Sequence, residues 1–115
     1  ETDSKVSIKN AKIAAAFHGY LSFSKQKKIQ KFIKIVNFPC FDALTYAQLA
    51  EGRLDIVVQC ENKIWDVHAI IPIISAAGGT LTTWKNENGK LAGNILASSN
   101  KLNHKKILKL LKPAT

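Results

Sequence analysis

The side chains that could do chemistry in this sequence are few and widely spaced. Eight acidic residues, three histidines and two cysteines are spread over 115 residues. The histidines lack the spacing of a metal site, the cysteines form no close pair, and no Ser-His-Asp arrangement for nucleophilic catalysis is visible. Structural roles are therefore expected for the histidines, with His68 buried in or flanking a helix, His18 at a strand end near a cleft, and His104 at the surface.

One carboxylate stands where an oxygen ligand would be useful. Asp66 follows Trp65 and opens an apolar stretch that is predicted to be a helix. A carboxylate at a helix N-terminus is held by the free amides of the first turn, and it can offer its oxygens to a hard cation such as Mg²⁺. Aspartate is also a common N-cap, and without further context that structural role is the simpler interpretation.

The elements around Asp66 alternate between helix and strand. Residues 41–51 place apolar side chains at helical spacing, and Gly52 follows where a helix would end. Residues 54–58 form a short, apolar and β-rich run, which predicts a buried strand. From Asp66 to the glycines at 78–79 the sequence is apolar nearly all round, so this helix is expected to be buried.

The N-terminal third is predicted to contribute a strand, a helix and a second strand. Residues 6–20 alternate loosely, which suits a strand that reaches His18 and Gly19. Ser24 is expected to be the N-cap of a short basic helix. The β-branched residues between 33 and 36 then predict a strand that ends before Pro39.

The C-terminal third is predicted to add two strands and a helix. Residues 80–84 and 94–98 are strand-like, with a turn at 86–89, and Asn100 is a suitable N-cap for the final helix. The residues of this helix that are expected to face the core are Leu102, Ile107, Leu108 and Leu111. The complete order predicts an α/β fold, a layered sandwich with a central mixed sheet flanked by helices.

The formal net charge of +9 comes mostly from lysine. Such a charge attracts nucleic acid, anionic membranes or phosphorylated metabolites. Arginine is the side chain best suited to bidentate recognition of bases and phosphates, and Arg53 is the only one. The lysine clusters at residues 25–34 and 101–112 are therefore interpreted as solvated faces, with a sequence-independent anion surface as the alternative, and nucleic-acid binding is ranked well below other functions.

Length and apolar pattern indicate one soluble domain spanning residues 1–115. No apolar run approaches the roughly 18 residues of a membrane span, and no secretory signal is recognised, so a cytoplasmic location is expected. Cys40 and Cys60 are expected to be free thiols in a reducing compartment. Because the sequence contains no methionine, we expect a fragment, a cleaved product or a trimmed chain.

Three motifs in the middle of the chain carry a resemblance to a known family. They are Gly52-Arg53-Leu54-Asp55, then Trp65-Asp66, then, after an apolar helix, Ala76-Ala77-Gly78-Gly79. In order and spacing they resemble the C-terminal signature of the inositol monophosphatase superfamily. The flanking features Asp42 with Tyr46 and Thr83 with Trp84 are similar to its histidinol-phosphatase-like branch, and the resemblance is clear from Phe38 onward.

The resemblance implies a magnesium-dependent phosphomonoesterase that acts on a small phosphorylated metabolite, such as inositol phosphate or histidinol phosphate. Asp66 matches the metal-binding Asp of the family's Trp-Asp pair. Asp42 and Gln59 match positions near the substrate, and Gln59 stands where the family commonly has a carboxylate at the end of a strand. For Asp42, a structural role in the N-terminal turn of a helix is an equally good interpretation. A further departure is Cys40, where a Gly is usual.

Metal-assisted hydrolysis of a phosphate ester requires several carboxylates, and the family's other ligands belong to an N-terminal half that this sequence lacks. Those ligands are a Glu and an Asp-Pro-Ile-Asp-Gly-Thr run. Two hypotheses follow. In the first, the chain is the C-terminal lobe of an enzyme, inactive by itself and dependent on an N-terminal lobe. In the second, it is a non-catalytic remnant or binding module whose uncovered apolar surface favours self-association.

Overall fold

The computed structural model describes residues 5–17, 21–38, 40, 43–62, 64–89 and 93–115. These residues form four strands and five α-helices. Short 3₁₀ turns precede the first strand and follow the last helix, at Ile8–Asn10 and Lys112–Ala114. The strands are β1 Ile13–Ala16, β2 Ile56–Asn62, β3 Thr80–Thr83 and β4 Gly93–Ser98. The helices are α1 Phe23–Lys28, α2 Gln30–Ile33, α3 Ala43–Ala50, α4 Ile64–Ala76 and α5 Lys101–Leu111.

The four strands form one mixed sheet in the order β1-β2-β4-β3. β1 and β2 are parallel, whereas β4 is antiparallel to both of its neighbours. Parallel strands require a crossover between them, and here the segment from α1 to α3 supplies it. The predicted layered α/β architecture with a mixed sheet is confirmed.

Alternating residues of the sheet belong to two separate hydrophobic clusters, because successive side chains of a strand point to opposite faces. Ile56, Val58 and Cys60 pack with residues of α2 and α5 on one face. Val57 packs with residues of α3 and α4 on the other face. The result is a three-layer arrangement in which α2 and α5 cover one side of the sheet, with α1 packed against α2 and the final 3₁₀ turn, while α3 and α4 cover the other.

Two predicted glycine stops end helices α3 and α4 in the same way. Gly52 and Gly78 have φ values of 82° and 93°, which side chains with a Cβ rarely adopt. After α3, Arg53 N–H donates to the Gln48 carbonyl over 2.8 Å. After α4, Gly79 N–H donates to the Ile74 carbonyl over 2.9 Å. Both helices therefore close with a Schellman motif, which satisfies backbone carbonyls at the helix end.

The strand predicted over residues 33–36 is wrong. Ile33 ends α2, and the described chain here makes only an isolated parallel bridge, between Phe38 and Ala14. The edge of β1 is instead satisfied by the side chain of Asn37, which accepts from Ile13 N–H over 2.7 Å and donates to a neighbouring carbonyl. The backbone N–H groups of Asn37 and Phe38 also donate to the Ile13 carbonyl, both over 3.0 Å. A side-chain amide thus supplements a short backbone contact where the β-branched residues suggested a full strand.

Helix and strand boundaries in the N-terminal third also differ from the prediction. The N-cap of α1 is Ser22 rather than Ser24, because the Ser22 hydroxyl accepts from Lys25 N–H over 3.2 Å. The predicted strand over residues 6–20 contracts to the four residues of β1 and is preceded by a 3₁₀ turn. His18, Gly19 and Pro39 lie outside the described residues.

The prediction that the helix opened by Asp66 is buried all round is wrong. In α4, one face is buried through Val67, Ile70 and Ile74. Ile73 is 51% exposed, and Pro72 beside it is exposed as well. Only α3 and the sheet cover α4 within the described chain, and together they shield one side of a cylinder. No helix in the described part of the chain is long and apolar enough to cross a membrane.

The core-facing side of α5 is also shifted from the prediction. Ile107 and Leu111 are fully buried and Leu108 is partly buried, as expected, but Leu102 is 63% exposed. His104 takes the inward position one turn before Ile107, at 4% exposure, so its predicted surface location is wrong. The phase of the helix is set by the two buried aliphatic residues near its end, and a satisfied polar side chain completes the inward face.

Asp55 connects three segments at the end of the sheet where β1 and β2 begin and β4 ends. Its carboxylate accepts from Lys12 N–H over 2.7 Å, and its own N–H donates to the Lys12 carbonyl over 2.8 Å. Its carbonyl accepts from Ser99 N–H over 2.9 Å, and the residue is 4% exposed. The Asp of the Gly-x-x-Asp motif therefore holds the segments that enter β1 and β2 against the segment that leaves β4.

We expect Asp55→Ala to lower the free energy of unfolding by about 1–3 kcal/mol, because Lys12 N–H would lose its acceptor in a part-buried site. Asp55→Asn keeps an acceptor oxygen and should lose less. Urea denaturation of both variants measures this. Glu51→Ala is the matched control, because Glu51 pairs with Arg53 at 3.3 Å on the surface and should change stability by no more than about 0.5 kcal/mol. A loss in Asp55→Ala no larger than in the control would contradict the assigned role.

Candidate functional site

Helices α3 and α4 both begin at the edge of the sheet where the parallel strands β1 and β2 end. β1 and β2 are parallel, so both end at this edge. Residues 51–55 join α3 to β2, and a single residue joins β2 to α4. With such short connections, and with both helices packed on the same face of the sheet, α3 and α4 run back against the direction of β2. Both helices therefore begin at the edge where β2 ends, the edge at which open α/β sheets bind ligands.

Asp66 lies in the first turn of α4, whose backbone begins two residues earlier, at Ile64. It is therefore inside the helix and is not its N-cap, so the simpler structural interpretation of this residue is wrong. A carboxylate in the first turn still benefits from the positive end of the helix dipole. Asp42, the other acidic residue predicted to be near substrate, lies outside the described residues, and α3 begins directly after it at Ala43.

Gln59 lies within β2 rather than at its end, where the sequence placed it. It pairs in register with Ala16, the last residue of β1, and with Ile95 of β4. It is 3% exposed, and strand alternation puts it on the same face as Val57, the face that α3 and α4 cover. Pairing with β4 becomes irregular between Gln59 and Asn62, so the strand changes its path just before the helix begins.

Within the described residues, no group of three or more His, Cys, Asp or Glu side chains could hold a metal ion. These residues therefore do not form a magnesium cage by themselves, since such sites need several oxygen ligands at once. Cys40 is half-buried and Cys60 is buried, and neither forms a disulfide within the described part of the chain. A metal at this edge would need carboxylates beyond those that the described chain brings together.

A buried polar network between β3, β4 and α5 was missed by sequence reasoning. His104 Nε2 lies 2.7 Å from Thr82 Oγ1, and His104 Nδ1 lies 2.9 Å from Ser98 Oγ. The Thr82 hydroxyl donates its one hydrogen to the Thr83 carbonyl over 2.8 Å, so it must accept from the imidazole. His104 is therefore protonated on Nε2, and its Nδ1 accepts from the Ser98 hydroxyl.

This network is structural. His104 is 4% exposed and Ser98 is fully buried, so no substrate can reach the Ser-His pair. Burial lowers the pKa of His104 from its ordinary 6.5 to about 4, which keeps the ring neutral near pH 7. The sequence did contain a signal for this arrangement, because His104 lies three residues before Ile107 and seven before Leu111, on one helical face.

A family model described as the inositol monophosphatase family matches residues 2–115. This chain belongs to the inositol monophosphatase family. Its mixed sheet, its two covering helix layers and the edge at which α3 and α4 begin are thus one version of that family's architecture.

Among curated relatives, the chain is similar to two phosphatases over about half of its length. It is 37% identical over 57 residues to the chloroplastic bifunctional phosphatase IMPL2 of Arabidopsis thaliana, which spans 50% of this chain and 16% of that protein. It is 36% identical over 61 residues to the histidinol-phosphatase of Streptomyces coelicolor, which spans 53% of this chain and 23% of that protein. These alignments therefore cover less than a quarter of either relative.

Among solved structures of the family, the whole chain superposes on slightly less than half of each molecule. An inositol monophosphatase from Zymomonas mobilis matches with a TM-score of 0.81 and 23% identity, covering 97% of this chain and 46% of that one. An IMPase/NADP phosphatase solved with Mg²⁺ and phosphate matches with a TM-score of 0.74 and 17% identity, covering 96% of this chain and 42% of that one. At these identities the likeness establishes the fold.

We expect the stability of this protein to fall as the pH is lowered from 6.5 towards 4, because the unfolded chain then binds a proton at His104 that the folded chain excludes. The difference between the ordinary pKa of His104 and its pKa in the folded chain corresponds to about 3 kcal/mol in the free energy of unfolding. Urea denaturation at several pH values should show that the cost of His104→Gln is largest above pH 6.5 and shrinks towards pH 4. His68→Gln, at an exposed position of α4, is the control. A cost that does not change with pH would refute the buried neutral state.

Proposed function

We propose that this chain is the C-terminal lobe of a magnesium-dependent phosphomonoesterase that hydrolyses a small phosphorylated metabolite together with an N-terminal half. The observation that carries the proposal is the edge at which β2 ends and α4 begins, with Asp66 in the first turn of α4, in a chain that belongs to the inositol monophosphatase family. The similarity to histidinol-phosphatases supports histidinol phosphate or inositol phosphate as the substrate class.

Asp66 would supply one carboxylate oxygen to Mg²⁺, and the N-terminal half would supply the remaining ligands. The similarity in fold to a structure that holds Mg²⁺ and phosphate supports this choice of metal. When bound, such ions neutralise the ester and lower the pKa of a coordinated water. The chain's own contribution is to place Asp66 in the first turn of a helix, near the positive end of the helix dipole.

Gln59 and Asp42 are proposed to lie near the substrate. The Gln59 carboxamide offers both donors and an acceptor but no charge, so it would favour substrate hydroxyls over a cationic group. It is buried on the face that α3 and α4 cover and already makes an interaction within the protein, so its carboxamide would have to become accessible before it could contact a substrate. A carboxylate at Asp42 would add a charged acceptor at the start of α3.

The exposed side of α4 supports the dependence on an N-terminal half. Pro72 and Ile73 lie on its outer face, and the side chain of Ile73 is 51% exposed. An apolar helix face of this kind gains free energy when a second layer covers it, at about 25 cal/mol per Å² of apolar surface. We propose that the N-terminal half packs on this face and brings its carboxylates to the neighbouring edge.

A second candidate function is a non-catalytic binding module that associates with itself. It is favoured by the same exposed face of α4 and by the lack of a three-ligand metal cluster among the described residues. A second copy would then cover the α4 face instead of an N-terminal half. The two candidates differ in what occupies the face and in whether phosphate chemistry accompanies it.

We expect this chain to release no phosphate from phosphomonoesters by itself and to gain Mg²⁺-dependent activity when joined to an N-terminal half that carries the Glu and the Asp-Pro-Ile-Asp-Gly-Thr run. Asp66→Asn in the joined protein should lower kcat by at least about 100-fold, because a metal ligand contributes several kcal/mol of charge stabilisation. Glu87→Gln, an exposed acidic position beyond β3, is the matched control. Full activity in Asp66→Asn would contradict the proposal that Asp66 is a metal ligand. If the joined protein were inactive, the non-catalytic binding module would be the better account.

We expect Ile73→Ser to weaken whatever association covers α4, with little effect on the stability of the isolated chain, because the side chain is already half in water. Sedimentation velocity of the chain alone reports self-association, and titration with an N-terminal half reports the other partner. Leu102→Ser removes an equally exposed apolar side chain from α5, on the other side of the sheet, and is the control. An equal response of the two variants would show that the α4 face has no special role.

A further inference from the structure

The whole net charge of this protein is concentrated in one helical layer. We define the lysine layer as residues 22–36 and 100–115, which contain α1, α2, α5 and the final 3₁₀ turn. No acidic residue occurs in either segment, whereas the rest of the chain carries seven basic and eight acidic residues. The ten lysines of the layer are Lys25, Lys27, Lys28, Lys31, Lys34, Lys101, Lys105, Lys106, Lys109 and Lys112.

These charges have no acidic partner among the described residues. All ten side chains are exposed, and the ion pair that the described chain does form, Arg53 with Glu51, lies outside the layer. Lysines that merely solvate a surface are usually interspersed with acids, because like charges on one face repel each other. Ten lysines without a carboxylate among them make a surface of strongly positive potential that a polyanion would neutralise.

The lysine layer is concave where α5 meets its neighbours. A cavity of about 400 Å³ lies between α1, α2 and the end of α5, and its charged lining residues are Lys27, Lys28, Lys31 and Lys109. A second cavity of about 410 Å³ lies between α5 and the turn after β3, and its charged lining residues are Lys85, Lys105, Lys109 and Lys112. Lys109 lines both cavities, so the two lie next to each other at α5, and together we call them the lysine groove.

An exposed aromatic ring lies beside the first cavity. Phe23 is 72% exposed, and the ammonium group of Lys27 lies 4.9 Å from the centre of its ring. An exposed Phe in the first turn of a short helix contributes little to the core. Its pairing with Lys27 does, however, hold a flat apolar surface next to a charged concavity. This combination of a basic groove and an aromatic platform is characteristic of proteins that bind single-stranded nucleic acids.

We propose that the lysine groove binds single-stranded nucleic acid without sequence preference, with phosphates along the lysines and one base on Phe23. A flexible phosphate chain can enter the two cavities and contact the lysines that line them, whereas a planar anionic membrane cannot enter them. The lysine layer contains no arginine, so bidentate readout of base edges is not built in. Sequence analysis ranked this function low because the charge is mostly lysine and Arg53 is the only arginine. The fold adds that the two lysine-rich segments meet through α5, with Phe23 beside them.

The first test compares two triple variants of equal charge. Lys27→Gln, Lys31→Gln and Lys109→Gln remove charge from the groove, while Lys9→Gln, Lys101→Gln and Lys106→Gln remove the same charge from exposed positions outside it. Binding of a fluorescent, mixed-sequence single-stranded RNA is measured by anisotropy at several salt concentrations. The groove variant should reduce the slope of log K against log salt by about 2, at roughly 0.7 per phosphate contact, and the control should retain the original slope. Equal losses in the two variants would overturn the proposal in favour of general charge attraction.

The second test separates nucleic acid from other polyanions. Phe23→Leu should weaken RNA binding by about tenfold without changing the salt slope, because stacking releases no counterions. The same variant should bind inorganic polyphosphate as tightly as the unmodified chain does, since polyphosphate has no bases. RNA binding that is indifferent to Phe23→Leu would overturn the base contact. Binding to phosphatidylserine vesicles that depends on the groove lysines, with no binding of RNA, would overturn the proposal in favour of a membrane surface.

Discussion

The burial of β2 on both faces is the constraint on which the rest of this structure depends. Every residue from Leu54 to Cys60 is buried, so each face of this strand needs its own helical cover. Two clusters result, and the chain must supply helices to both sides of one sheet. Because β1 is parallel to β2, the intervening chain has to cross over, and α3 and α4 then begin at the same edge. The location of the candidate site is thus a consequence of how the central strand is buried.

The features that the sequence predicted well are those fixed by local backbone chemistry. Gly52 and Gly78 end helices because only glycine readily takes a positive φ, and Asn100 caps α5 by accepting from the N–H of Asn103 over 2.8 Å. The motifs around the two glycines also indicated the inositol monophosphatase family, and the family match over residues 2–115 confirms this assignment. The mixed sheet followed from the alternation of strand and helix, although the order of its strands could not be read from any local pattern.

The features that the sequence predicted poorly are those that depend on partners distant in the chain. Asn37 contacts Ile13 at the edge of β1 through both its side chain and its backbone, and nothing near it in sequence indicates that Ile13 will be its partner. His104 is buried because Thr82 and Ser98 meet both of its nitrogens, and polar residue types normally indicate exposure. Ile73 was expected to be buried, but within the described chain nothing covers that side of α4. The roles of Asp66, Asp42 and Gln59 remain predictions.

The candidate catalytic edge and the lysine groove belong to different layers, and this separation limits how each can influence the other. The helices that begin at the edge, α3 and α4, cover one face of the sheet, and the lysine layer covers the opposite face. The smallest dimension of the molecule is 23 Å, which is about two Debye lengths at 0.1 M salt. Charges on the lysine layer are therefore largely screened at the α4 side, so a polyanion there would act on phosphate chemistry through contacts or geometry rather than through the field. The two proposals therefore rest on different residues, in different layers, and can be tested independently.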